Sequence, residues 1–529
     1  MNVARGRGIG VVARLGVAIV AAVALSGCST ASSTDRRTLI DSRDTYDPRS
    51  LDPAMSTDVP TGRAVGYLFD GLTTFDASAN VKPGLATRWD VSPDGKRYVF
   101  HLRPGVRFHD GTPLTARQVA ASWKRVLDPK TKAGGADPLY PILGAREFSK
   151  GAATEVAGIQ VRDDSTLSVT LAEPLAVFPK LLAMPVASVV PENATDLAAH
   201  PIGTGPWKLV EWKHDDYLLF ARNDQFWGGK PAAESLRARI IAEPSTAVAE
   251  FESGNVDVLQ IPAVEAREWT EDESRKPRLA SVPALQLIYI GINTTRGPLV
   301  DARVRQAINY AIDVPRIIDR LVGGRGLRAA GVIPPSLPGY DSSRAAYPYD
   351  PAKARALLAQ SGHASDLTID LWCSTFPLYV RIAETVQAYL GAVGIKVRIV
   401  QREAAASRAA ARKGETDMIL KDWYADYPDA ENFLYPLLHS ANKGLGGNVS
   451  FYQNPAFDRI VDSARHELDP TKRTRMLRDA DATAERDAPM VFLYFYNDLY
   501  AVQSWVRNFK PPVIFNGQRW LDVSIARKP

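Results

Sequence analysis

The residues best suited to chemistry lie in Asp422-Trp423-Tyr424-Ala425-Asp426-Tyr427-Pro428-Asp429, with Asn432-Phe433-Leu434 just beyond. The apolar run Met418-Ile419-Leu420 leads in and predicts a short buried strand. Pro428 then stops regular structure, which leaves Asp426 at a strand end between Trp423, Tyr424 and Tyr427. A carboxylate walled by aromatic rings suits a cationic guest. The rings present their negative faces, and partial removal of water strengthens the pull of the carboxylate on an ammonium. The competing reading is a solvated acidic loop whose aromatics belong to the core.

Other chemistries find less support. The seven histidines are scattered, with no H-E-x-x-H and no paired Cys/His spacing of the kind zinc needs. Gly324-Arg325-Gly326-Leu327-Arg328-Ala329 spells G-x-G-x-x-A, but it follows a helical pattern rather than a strand, the wrong setting for a dinucleotide loop. Neither a G-x-S-x-G elbow nor a P-loop occurs. Asp426 and Asp429 lack an accompanying nucleophile and read as recognition groups rather than an acid–base pair. Cys373, inside the apolar stretch Ile369–Cys373, reads as a small buried hydrophobe. The expectation is a binding protein, not an enzyme, with no cofactor and no metal.

The N-terminus sets the compartment. Arg5, Arg7 and Arg14 precede an apolar run from Leu15 to Leu25 that is too short to remain as a membrane span. It ends in Leu25-Ser26-Gly27-Cys28, which resembles the lipobox of bacterial lipoproteins; that resemblance implies cleavage before Cys28 and a lipid anchor on it. Residues 1–27 are thus read as a signal peptide and 28–35 as a tether. Losing three arginines and no acids takes the formal charge from +5 to +2, and no Lys/Arg stripe with interleaved aromatics suggests nucleic acid. At 529 residues, with 45% hydrophobic and 23% charged, the chain is ordinary globular protein in about three domains.

The elements that must hold Asp426 belong to an alternating region. Helices are predicted over 351–359, 378–390 and 404–412, with strands over 367–371, 396–400 and 418–423 between them, an α/β layered pattern. Met490–Tyr496 fits a strand buried on both faces, and 285–290 a strand leaving one domain for another. Upstream, Thr115 is a credible cap for a helix through Val119, Trp123 and Val126. Gly203 and Gly205 are expected to supply positive φ in a turn. In 301–313, Val304, Ala307, Ile308, Ala311 and Ile312 form the packing face, with Arg303, Arg305 and Asn309 mostly elsewhere.

Several of these pieces carry a resemblance. Leu68-Phe69-Asp70-Gly71-Leu72, Pro83 to Trp89, Phe100-His101-Leu102-Arg103, Phe108 to Thr115, Gly203 to Leu209, Ile290-Gly291-Ile292-Asn293 and Asp301 to Asp313 occur in order. Together they resemble family 5 extracytoplasmic solute-binding proteins, the peptide receptors of ABC importers, of the oligopeptide- and dipeptide-binding kind. The resemblance covers essentially the whole mature chain. It implies an α/β, two-lobe, hinged periplasmic-binding-protein-like fold with a small inserted third domain. Lobe I would take 36–66, 204–284 and 498–529, the insertion 67–203, and lobe II 285–497. By the same resemblance Asp426 in W-x-A-D-Y binds a peptide α-ammonium, while Trp423 and Tyr424 line the first pockets. Tyr140 is a further cleft candidate, and Arg381 a candidate for the peptide carboxylate. Short peptides, ABC permease subunits and the membrane are the implied partners, and the protein is expected to act as a monomer. Nickel, haem, oligosaccharide and opine receptors share the fold, and a sensor lipoprotein that delivers nothing is a further alternative.

Overall fold

A computed structural model describes residues 39–263, 265–363, 367–444 and 447–526; Cys28 and the segment before Leu39 lie outside the described residues. Eleven strands form one continuous sheet. From one edge the order is Lys396–Arg402, Thr368–Ser374, Met418–Tyr424, Leu279–Ile292, Met490–Val502, Val258–Gln260, Leu39–Asp44, Ser235–Ile240, Tyr217–Arg222 and Trp207–Lys213, with Gly326–Arg328 added against Met490–Val502. Within the G-x-G-x-x-A stretch, Gly326–Arg328 is a strand, and it follows the helix Val314–Leu321 rather than opening one.

Helices cover both faces of the 279–502 half. One face carries Ile288, Ile290, Leu371, Cys373 and Leu493 against helices such as Ala302–Ala311 and Pro377–Gly391. Cys373 is fully buried, and burial pushes its thiol up. The other face carries Leu287, Tyr289, Ile419 and Phe492 in a core continuous with Phe100, Trp123 and Phe178 of the segment 67–203. That segment builds its own four-stranded antiparallel sheet, Ala86–Val91, Arg97–Leu102, Thr166–Thr170 and Ile159–Asp163, and packs the helix Ala116–Leu127 on it. The helix starts where Gln118 folds back to accept from the Thr115 N–H at 2.8 Å, a reciprocal cap. Trp123 is fully buried, its indole donating to the Ala187 carbonyl at 3.0 Å.

Two strands cross the whole molecule. Leu279–Ile292 and Met490–Val502 pair from Leu279↔Ala501 to Gly291↔Met490, but the register shifts between Pro283 and Leu287. Pro283 has no N–H to give a ladder. This interruption lies where the expected lobe borders at 284/285 and 497/498 fall.

Two expectations need correction. Gly203 and Gly205 do not sit at positive φ. Close approach is what demands glycine: a Cβ on Gly203 would lie 2.0 Å from the Leu68 carbonyl oxygen, and one on Gly205 2.5 Å from that of Tyr67. The turn is locked from Thr204, whose hydroxyl donates to the buried Asp70 carboxylate at 2.7 Å, where Trp227 and Arg519 also donate. Nor do Arg305 and Asn309 avoid the packed face. Arg305 is 6% exposed, and its guanidinium donates to the carbonyls of Leu299, Val300, Asp487 and Ala488. A buried arginine satisfied by carbonyls ties the helix Ala302–Ala311 to the end of the helix Pro470–Asp487.

Candidate functional site

Thr368–Ser374 runs parallel to both Lys396–Arg402 and Met418–Tyr424, so three strands deliver their carboxyl ends to one edge. In open α/β sheets ligands collect outside such ends. The chain beyond Tyr424 stays with the sheet for one more residue, the Ala425 N–H donating to the Leu285 carbonyl at 2.8 Å. It then turns over Asp426, and Asn432 holds the turn from the next helix, Glu431–Leu438. Its Oδ1 accepts from the Asp426 N–H at 2.8 Å, and its Nδ2 lies 3.4 Å from the Asp426 carboxylate.

Asp426 is exposed by surface area, although neighbouring protein crowds its carboxylate enough to shift it. Burial pushes its carboxyl up to about 6; the bond from Asn432 works the other way, and Asp137, facing it from the 67–203 segment, adds to the rise. No basic side chain among the described residues pairs with it. An exposed carboxylate whose pKa is raised by surrounding protein, faced by a second acid and with no basic partner among the described residues, is a site that suits positive charge.

The neighbouring acid behaves oppositely. Asp429 is buried, and although burial opposes its charge, Lys180 and Arg473 hold its carboxyl well below the usual range. Arg473 grips it with both Nη atoms, at 2.9 and 2.7 Å, and Lys180 of the 67–203 segment donates at 2.6 Å to the same carboxylate and at 2.7 Å to the Pro428 carbonyl. Asp429 is therefore a structural clamp under the Asp426 loop, not the recognition group its spacing suggested.

Of the three rings expected around Asp426, one is sent elsewhere. Trp423 is half-buried, opposite Leu287 in the ladder, and its indole N–H is buried with no acceptor among the described residues. Tyr424 is half-buried with its ring 6.4 Å from that of Phe515. Tyr427 instead turns into the core, where its hydroxyl donates to the buried Glu431. Tyr140 is half-buried under the Arg146 guanidinium, 4.7 Å from its ring centre, and follows the turn Asp137–Leu139 whose acid faces Asp426. Arg381 is exposed one turn into Pro377–Gly391, with no hydrogen bond or ion pair from its guanidinium among the described residues and no contact that ties it to Asp426.

Sequence reasoning assigned no role to Asp137, Asn432 or Asp498. Asp498, in the strand Met490–Val502, is 3% exposed, takes a 2.7 Å bond from the Gln260 side chain, and is pushed up to about 6 by burial despite nearby Arg325 and Arg63. A lone acid near the end of the apolar run 490–496 was its available signal.

Two lobes joined by two long paired strands define a hinged, two-lobe α/β class of fold, with the unpaired Asp426 carboxylate at its strand ends. The comparisons refine that class. The family described as "Bacterial extracellular solute-binding proteins, family 5 Middle" matches residues 80–444. The chain is 30% identical over 508 residues to the dipeptide-binding protein of Escherichia coli, covering 91% of this chain and 92% of that one. It is also 30% identical over 436 residues to heme-binding protein A of Haemophilus influenzae, covering 78% and 79%. Among solved structures, the periplasmic binding protein DppA of Helicobacter pylori in complex with the peptide STSA aligns at a TM-score of 0.78 and 27% identity, over 92% of this chain and 98% of that one. The chain belongs to the family 5 bacterial extracellular solute-binding proteins.

Proposed function

We propose that this protein is the substrate-binding lipoprotein of an ABC importer, which captures short extracellular peptides between its lobes and hands them to a membrane permease. The observation that carries the reading is Asp426: a carboxylate at the strand ends whose pKa is raised by the protein around it, with no cation among the described residues, suited to a peptide α-ammonium. The dipeptide-binding relative and the peptide-bound neighbour support the same cargo. Strand-like pairing along the cleft would satisfy the peptide backbone once water leaves, and pockets that keep water would tolerate varied side chains. The site holds and releases; it carries out no covalent step. The chain acts as a monomer. Native mass spectrometry of the purified protein tests the cargo: co-purifying peptides support the reading, whereas haem, the ligand named for a relative of equal identity, would replace it.

Affinity should depend on pH with a definite sign. An ammonium binds the ionised carboxylate, and the free carboxyl titrates near 6. Above that pH the site is ready; below it, a proton must leave before the ligand binds. Affinity for a free-amine peptide is expected to fall between pH 7 and pH 5, approaching about tenfold per unit at the acid end. Titration calorimetry across that range checks it, and an affinity unchanged to pH 5 would count against Asp426.

The anchor is proposed at Cys28, outside the described residues. Cys28→Ala is expected to move the protein from the membrane fraction to the soluble fraction, read by fractionation and immunoblot. Unchanged membrane retention would refute the anchor.

A further inference from the structure

Earlier in the strand that leads to Asp426 stands a second acid that no cation answers. Asp422 is exposed, accepts from the Gln286 side chain at 3.0 Å, and makes no ion pair among the described residues. Lys421, its neighbour in the strand, points to the opposite face because side chains alternate. Two strands part beside it. Thr368–Ser374 pairs with Met418–Tyr424 only at Leu371↔Met418 and Trp372↔Ile419, so no strand covers the outer edge of Leu420–Tyr424 among the described residues.

Aromatic rings stand around this acid. Where Thr368–Ser374 ends, the chain passes through Phe376 into the helix Pro377–Gly391. Phe376 is 57% exposed and meets Tyr379 edge-on, with ring centres 5.6 Å apart. The Tyr379 hydroxyl lies beside Asp422: burial pushes it well up and that carboxylate adds to the rise, so it stays protonated and free to donate. Tyr494 sits in the same row of the sheet, across Ile288 from Asp422. It is fully buried, and its hydroxyl has no partner among the described residues.

Each of these parts fits the same guest. An open strand edge can pair with an extended backbone. The rings can cover a methylene stem and offer their faces to a positive charge. The carboxylate then meets the cationic end of the side chain.

We propose that Asp422 is a specificity residue, selecting peptides with a basic side chain, lysine or arginine, held as a second cation beside the α-ammonium. The inference rests on the peptide reading and deepens it by naming the cargo. Asp422 and Asp426 are four residues apart on a chain that rises about 3.3 Å per residue when extended, up to roughly 13 Å between Cα atoms. An extended peptide covers that span in about four residues, so the basic residue is expected within the first four positions.

Calorimetry with tetra-alanine, its four single-lysine variants and their norleucine counterparts tests this. Norleucine keeps the apolar stem and removes the charge. Wild type is expected to bind the lysine peptide at least about tenfold tighter than the norleucine peptide at one position, as for other charge-assisted pairs. Asp422→Asn should erase that difference, while the preference for a free over an acetylated amine, which belongs to Asp426, persists. Asp422→Glu should keep the lysine preference, and Asp422→Lys should turn it toward a glutamate peptide at the same position. Equal binding of lysine and norleucine peptides by wild type at every position, or an undiminished preference in Asp422→Asn, overturns the proposal. Indifference of wild type to N-acetylation of tetra-alanine would instead overturn the peptide reading beneath it.

Discussion

Asp426→Asn is expected to weaken binding of free-amine peptides by at least tenfold while leaving the fold intact. The substitution keeps size and shape. Asn432 can still accept from the residue 426 N–H, the 2.8 Å bond that sets the turn. What is lost is the negative charge, and an ammonium drawn out of bulk water without a counter-charge loses stabilisation that a neutral amide does not replace. Because burial holds the carboxyl near 6, the free protein gives up nothing by losing an acid there; its unfolding temperature should stay level or rise. Calorimetry and thermal unfolding on the same sample check both halves. Lost binding together with a lowered unfolding temperature would point to a structural role instead.

Asp429→Ala should do the reverse, with a large cost in stability. Removing this carboxylate leaves Arg473 and Lys180 facing each other with no anion between them. Breaking a buried pair from one side costs about 3–5 kcal/mol. The damage should spread, because the same carboxylate accepts from the Glu431 N–H at 2.9 Å and ties the 67–203 segment to the loop that carries Asp426. Urea denaturation is the measurement. A change below about 1 kcal/mol, the range of surface pairs, would contradict the clamp.

The alternating strands and helices of lobe II were legible because each apolar stretch is local. Helix 404–412 matches its expected bounds, and the strand before Asp426 ends one residue beyond the expected 423. The glycines at 203 and 205 were assigned the wrong cause, since the carbonyls of Tyr67 and Leu68 that crowd them lie over a hundred residues earlier and leave no trace in local pattern. Tyr427 looked like a third wall because strand spacing carries no information once the chain turns; its hydroxyl went to Glu431. Arg305 read as a surface residue because arginine usually is one, and only the carbonyls of Asp487 and Ala488 make its burial tolerable. Asp498 drew no reading at all, since its partner Gln260 comes from a segment more than two hundred residues away. Composition names the acid; the fold decides whether it is a clamp, like Asp429, or a receptor, like Asp426.

The most direct measurement is a crystal structure of the protein with bound trialanine. The account predicts the peptide extended between the lobes, its terminal nitrogen within about 3 Å of the Asp426 carboxylate, the range of a charge-assisted hydrogen bond. A peptide bound elsewhere, or one whose amine faces water while Asp426 stays unpaired, would contradict it.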